Sequence, residues 1–253
     1  MSSKTVLKLL NNSKKRTLAV LIDPDKADNV FLNQISTFSN EGIIDLIFVG
    51  GSLITSPAFS YVIHTLKSTV NVPVIIFPGS NLHIDDKADA LLLLSLVSGR
   101  NPDLLIGQHV IAAPRLKRSS LEIIPTAYML VDGGKPTTVS YISGTLPIPH
   151  DKPEIAEATA IASELLGMKV FYLDTGSGAL HHASAKMIHK VKNAVQGPVI
   201  VGGGINTFEK AEACWHAGAD VVVIGSAIEQ NVDILEEFRL RNQKPEVGSQ
   251  KIL

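Results

Sequence analysis

The residues best suited to chemistry lie late in the chain, in three glycine-bearing segments. The first is Tyr172-Leu173-Asp174-Thr175-Gly176-Ser177-Gly178, the second Gly202-Gly203-Gly204-Ile205, and the third Gly225-Ser226. Each follows a short apolar run, and successive segments lie about one strand–helix unit apart. Small-residue turns leave backbone N–H groups uncovered, and several such groups aimed at one point bind a phosphate dianion. The three segments hold no Lys or Arg, so a cradle built from them works through backbone dipoles and a hydroxyl. A single glycine turn is commonplace in any α/β protein. Three in succession imply a phosphorylated ligand.

Carboxylates supply the second signal. Asp23-Pro24-Asp25-Lys26 closes the first apolar run, which puts the Asp23 carboxylate at a strand end. There it can hold Mg²⁺, a hard cation that takes one or two carboxylates plus substrate phosphates. Ser52, at the end of the second run, can give another oxygen. Asp25 has a competing reading: with Asp28 it resembles a helix N-cap and acidic first turn. Asp174 sits inside the expected phosphate pocket, where it is either a general base for a substrate hydroxyl or a side chain that hydrogen-bonds its own loop. Tyr172 faces the same way and can orient substrate. The eight histidines show no zinc-binding spacing, and Cys214 and Trp215 read as packing residues.

Elements must bring these residues together. Apolar, β-branched runs occur at Leu18–Ile22, Ile44–Val49, Val74–Phe77, Ala90–Ser95, Ile123–Ala127, Val170–Leu173, Val199–Val201 and Val221–Ile224. Helical spacing lies between them at Asp28–Asn40, Pro57–Thr69, Pro153–Leu166, Ser184–Val195, Phe208–His216 and Ile228–Leu240. Eight parallel strands alternating with helices predict an α/β fold, a (β/α)8 TIM barrel with its site at the strands' C-terminal ends. A doubly wound open sheet is the alternative, and the late glycine loops favour the barrel. No linker divides the chain, so 1–253 reads as one domain with a loose tail from about Asn242. Residues 98–121 carry a basic cluster, Arg115, Lys117 and Arg118. Residues 130–152 form an insertion after the fifth strand that can act as a lid or a subunit contact.

Composition narrows the classes further. Among 253 residues, 45% are hydrophobic and only 19% charged, with a formal net charge of −1. That argues against disorder and against a nucleic-acid binder, which needs a basic field. One cysteine cannot form an internal disulfide, so nothing points to an oxidising compartment. The longest greasy run, Ala90–Val97, is too short for a membrane span, and the first residues lack the apolar stretch of a signal peptide. A cytoplasmic protein is expected, with peripheral lipid contact still open to it.

Taken in order, Leu21–Lys26, Val49–Ser52, Tyr172–Gly178, Gly202–Ile205 and Ile224–Ser226 resemble the geranylgeranylglyceryl phosphate synthase family, over about residues 17 to 240. The resemblance implies a barrel prenyltransferase that joins a polyprenyl diphosphate to the 3-hydroxyl of sn-glycerol 1-phosphate. It implies that Asp23 and Ser52 hold Mg²⁺ against the donor diphosphate. It places glycerol phosphate on Tyr172, Leu173, Asp174, Thr175, Gly176, Ser177, Gly178, Gly203, Gly204, Gly225 and Ser226, with Asp174 and Tyr172 catalytic. Two positions depart from the family pattern: Asp174 stands where glutamate is usual, and Leu21 stands where some members carry lysine. The insertion after the fifth strand resembles the branch that forms homo-oligomers, dimers or hexamers. A groove for the prenyl chain is expected near Phe77, Pro78, Ile124 and Tyr128. The competing readings are another phosphate barrel (a sugar-phosphate isomerase or lyase, or a thiamine-phosphate-synthase-like transferase) and a non-catalytic phosphate-binding barrel.

Overall fold

Strands covered on both faces need apolar residues throughout, which is why the eight runs read as continuous Val, Ile and Leu. A computed structural model describes residues 6–11 and 16–242 of the protein. In it the runs form β1 (Thr17–Ile22), β2 (Leu46–Gly50), β3 (Val74–Phe77), β4 (Ala90–Leu96), β5 (Glu122–Leu130), β6 (Val170–Asp174), β7 (Val199–Gly202) and β8 (Val221–Ile224). Each pairs with the next in parallel, and β8 returns to β1 from Thr17↔Val221 to Val20↔Ile224. The barrel is therefore closed, and the open-sheet alternative falls.

Ten α-helices are described: α1 (Val6–Leu10), α2 (Asn29–Asn40), α3 (Phe59–Thr69), α4 (Gln108–Leu116), α5 (Thr138–Ser143), α6 (Pro153–Leu165), α7 (Ala185–Ala194), α8 (Phe208–His216), α9 (Ser226–Gln230) and α10 (Ile234–Asn242). Their starts are chemically marked. The side chains of Asp28, Ser184 and Thr207 accept from the N–H groups of Phe31, Met187 and Lys210, and Pro153 opens α6.

Two expectations are corrected. The single helix expected over Ile228–Leu240 is two, because Asn231 takes an extended conformation (φ −154°, ψ 103°) and ends α9. The stretch expected as a basic surface segment contains a π-helical turn, Asp103–Gly107, that leads into α4. Pro114 inside α4 masked the helical pattern, and Arg115 is tied down by a bond from its guanidinium to the Ile84 carbonyl at 2.6 Å. The tail expected from about Asn242 lies outside the described residues, apart from the helix end at Asn242 itself.

Side chains inside the barrel and those between barrel and helices form two separate cores. Phe77, Tyr128 and Tyr172 cap the inner one, their ring centroids 5.5–5.8 Å apart. The opposite rim is organised by acids at the feet of strands. Asp45, Asp89 and Asp220, just before β2, β4 and β8, accept the N–H groups of Leu18, Val74 and Val199 on the neighbouring strands at 2.9, 2.8 and 2.7 Å. Lys67 and Lys192 pair with Asp89 and Asp220.

Glu122, at the foot of β5, accepts the first N–H groups of α1 from Val6 and Leu7 at 2.6 and 3.2 Å. This bond docks Val6 and Leu10 into the base of the inner core. Charge-assisted bonds to a helix's first N–H groups are stabilising, so Glu122→Ala is expected to cost about 1–2 kcal/mol. Urea unfolding checks this; a midpoint equal to that of the parent chain would contradict the docking role.

Candidate active site

At the C-terminal rim, β6 turns Tyr172 and Asp174 toward the barrel axis and Phe171 and Leu173 toward the helices. Leu173 is fully buried in the outer core, so its side chain does not reach the mouth with the others. Asp174 is 8% exposed. Its Oδ1 accepts the Gly176 N–H at 2.7 Å, and its Oδ2 accepts the Tyr128 hydroxyl at 2.5 Å. The arrangement is the own-loop hydrogen bond that the sequence left open, with a tyrosine added.

The loops after β6, β7 and β8 meet. Thr175 N–H donates to the Gly202 carbonyl at 3.1 Å, and Gly178 N–H donates to Ser226 Oγ at 3.2 Å. Gly203 and Gly204 have φ of +80° and +66°, a region that side chains with a Cβ rarely adopt. A Cβ on Gly203 would stand 2.4 Å from Thr175 Oγ1 and 2.7 Å from the Gly176 nitrogen. Only glycine lets the β7 loop lie this close to the β6 loop. The Thr175 hydroxyl is buried there and finds no hydrogen-bond partner among the described residues. Ser177 and Gly178 are exposed at the rim, and Gly225 and Ser226 are partly exposed.

Across the mouth, Asp23 follows β1. Its Oδ1 accepts the Asp25 N–H at 3.1 Å, and its Oδ2 lies 3.2 Å from Lys26 Nζ. The Lys26 ammonium also pairs with Glu229 of α9 at 2.9 Å, which ties the β1 loop to the segment that follows the β8 turn. Gly51, immediately before Ser52, is the neighbour of the Asp23 carboxyl: a Cβ on it would lie 3.9 Å away. Asp28, not Asp25, caps α2. Asp25 instead accepts bonds from the N–H and hydroxyl groups of both Thr55 and Ser56 at 2.7–3.0 Å, which hold its pKa far below the usual carboxylate range. Asp25 thus pins the β2–α3 loop.

An apolar groove, open to solvent along one side, lies beside the aromatic triad. Three of the four residues expected beside it, Phe77, Pro78 and Tyr128, line it. The fourth, Ile124, does not: it is buried in the barrel interior, 1% exposed. Further wall residues include Leu91 and Leu93 of β4, Ile142 of α5, and Leu104, Ala112 and Leu116 on the helical segment that the sequence did not reveal, with polar His83, Gln108 and His109 among them. Ser52 lies at its rim, so the Asp23 side of the mouth and the groove are continuous. Among the described residues, no cluster of three or more His, Cys, Asp or Glu is placed to hold a metal.

Glu229 was missed from sequence, and so was one role of Tyr128, expected beside the groove but not as the donor to Asp174. Tyr128 was detectable: it lies level with Tyr172 on the adjacent strand and shares its inward parity. Glu229 carried no local signal, since its partner Lys26 is distant in the chain.

Burial raises the Asp174 pKa above 3.8, against the lowering effect of its two hydrogen bonds. Burial, then the nearby Asp174 charge, pushes Tyr128 and Tyr172 well above the usual phenol value. Both phenols therefore stay protonated donors. For Asp174 the linkage sign is fixed: the folded state holds its proton more tightly than the unfolded one. Stability is therefore lost as pH rises from 3.8 through the folded pKa. Asp174→Asn removes the ionisation, so its stability relative to the parent chain is expected to rise with pH above 3.8. Parallel urea titrations between about pH 4 and 7 check this, and a pH-independent difference would contradict it.

Comparison with known proteins places the chain in a family. A model of the PcrB family matches residues 11–241. The geranylgeranylglyceryl phosphate synthase of Spirosoma linguale is 52% identical, over 92% of this chain and 94% of its own. That of Chitinophaga pinensis is 49% identical, over 88% of each chain. The crystal structure of (S)-3-O-geranylgeranylglyceryl phosphate synthase from Thermoplasma acidophilum in complex with sn-glycerol-1-phosphate superimposes with a TM-score of 0.86 at 35% identity, over 92% of this chain and 95% of that one. A family match spanning residues 11–241, with relatives this similar over nearly the whole chain, settles the relationship: the chain belongs to the PcrB family.

Proposed function

We propose that the protein transfers a polyprenyl group, geranylgeranyl in the first instance, from its diphosphate to the 3-hydroxyl of sn-glycerol 1-phosphate. The observation that carries this reading is a single mouth with two unlike halves. One half is the meeting of three glycine loops, marked by the Gly178 N–H bond to Ser226 Oγ; the other is the apolar groove. A small phosphorylated alcohol suits the first and a long hydrocarbon the second. The related enzymes carry the matching name, and the Thermoplasma protein binds sn-glycerol-1-phosphate.

In the transfer, a lone pair on the glycerol O3 forms a C–O bond to the prenyl C1 while the bond from C1 to the diphosphate oxygen breaks. The hydroxyl proton leaves to a base or to water, and diphosphate carries away the electron pair. The loops fix the phosphate end of the acceptor, so the hydroxyl is presented in line at high effective concentration. Tyr172 and the Asp174–Tyr128 pair form the floor on which that hydroxyl rests. The groove keeps water from the allylic carbon. Asp23 and Ser52 offer hard oxygen donors beside the groove, a set that fits Mg²⁺ completed by substrate oxygens. When bound, the ion neutralises charge developing on the leaving diphosphate.

Association into a homo-oligomer belongs to the same reading, because Tyr141 and Leu146 of the insertion are 86% and 88% exposed and large exposed apolar side chains in a group mark contact surfaces. No helix among the described residues is long and apolar enough to cross a membrane. We place the protein in the cytoplasm, meeting its prenyl donor at a lipid surface.

The test supplies Mg²⁺, labelled prenyl diphosphates of several lengths and either enantiomer of glycerol phosphate, and identifies the product. An ether formed from sn-glycerol 1-phosphate and not from its mirror image is expected; no ether from either would refute the reading. Asp23→Asn is expected to lower turnover about 10²–10³-fold while glycerol phosphate still binds. Full activity in that variant would remove Asp23 from the donor site.

A further inference from the structure

The three glycine loops carry no cation of their own, yet a phosphate dianion held by dipoles alone leaves most of its charge unopposed. Of the nearby lysines, Lys26 is neutralised by Glu229 and Asp23, and Lys210 Nζ is turned to the Gly204 carbonyl at 3.1 Å, a bond that positions its ammonium without neutralising it. The insertion after β5 changes this balance. We propose that Lys135, on the strap 131–137, supplies a positive charge that contacts the phosphate at the acceptor site, an inference that rests on the function argued above.

The strap is held in place over the β6 loop. Val131 N–H donates to the Asp174 carbonyl at 2.8 Å, and the Gly133 carbonyl accepts from Leu180 and His181 at 2.9 and 3.1 Å. Gly133 has no room for a side chain, since a Cβ would meet Ala179 Cβ at 2.5 Å. From the other side, a Cβ on Gly176 would meet Thr137 Oγ1 at 2.5 Å. Gly134 takes a left-handed φ of +87° while its N–H bonds Asp132 Oδ1 at 2.9 Å. Pro136 restrains the backbone of the residue before it to the extended region. Between these fixed points Lys135 reaches across the rim. Its Nζ lies 3.7 Å from the point a Cβ on Gly178 would occupy, beside the residue whose N–H joins the β6 and β8 loops. Lys135 is exposed and forms no hydrogen bond or ion pair with any described residue. An ammonium without a protein partner, at the junction of phosphate-binding loops, is placed to pair with a ligand's phosphate oxygens.

Lys135→Met keeps the length of the stem and removes the charge; Lys135→Arg restores it. Binding of sn-glycerol 1-phosphate to the full-length protein, followed by calorimetry, is expected to weaken roughly 5- to 10-fold in Lys135→Met, as for loss of one charge-assisted contact. Lys135→Arg should recover it to within about twofold. Inorganic phosphate, used as a competing probe, should lose affinity in parallel. The acceptor KM should rise by the same factor, with the KM for prenyl diphosphate moving less than about twofold, and its dependence on salt should flatten. Three outcomes overturn the assignment: an unchanged acceptor affinity in Lys135→Met, a loss confined to the prenyl diphosphate, or a loss that arginine does not restore. A parent chain that binds no glycerol phosphate would instead overturn the functional reading itself.

Discussion

Parallel pairing of β8 with β1 is the constraint on which the site depends. Once Thr17 lies against Val221 and Val20 against Ile224, the turns after β6, β7 and β8 become neighbours and the β1 turn closes on them from the far side. The Lys26–Glu229 pair across that seam is a consequence of closure: in an open sheet the first and last strands would be edges with nothing to face. Closure also gives every strand two buried sides, which is why the strands could be apolar throughout without creating an aggregation-prone edge.

Asp174 shows how a buried charge is tolerated when it organises its surroundings. Its two oxygens are held by a backbone N–H and a tyrosine hydroxyl, and its own carbonyl receives Val131. One residue thus joins the β6 loop, the inner aromatic layer and the insertion after β5. Burial works against its ionisation, and an unpartnered carboxylate at this depth would be costly. Its bonds offset only part of that cost, so the net shift is upward. The short reach of aspartate keeps its carboxylate within its own loop, where it shapes the floor of the mouth.

The strands and the late glycine loops were legible because their signals are local: a run of Val and Ile with a glycine at its end. Positive φ at Gly203 and Gly204 is the physical content of the motif read from the sequence. What escaped was long-range or disguised. α1 is short and owes its place to Glu122, far along the chain. α4 contains Pro114 and follows a π-helical turn, which breaks the usual apolar spacing; with it went one side of the groove wall, Leu104, Ala112 and Leu116. The break at Asn231 depends on one extended residue inside a stretch with good helical pattern. Asp25 was ambiguous because an aspartate caps a helix or anchors a loop with the same side-chain chemistry, and only the position of Thr55 and Ser56 decides.

The acids at the feet of β2, β4 and β8 stand at the rim opposite the glycine turns. Anchoring and reactivity therefore occupy different ends of one cylinder, separated by the full length of its strands. A lineage moving to hotter or colder surroundings can retune robustness at the lower end, strengthening or loosening those carboxylate clasps, while the machinery above keeps its dimensions. Such a division leaves the barrel free to acclimatise without renegotiating what it makes.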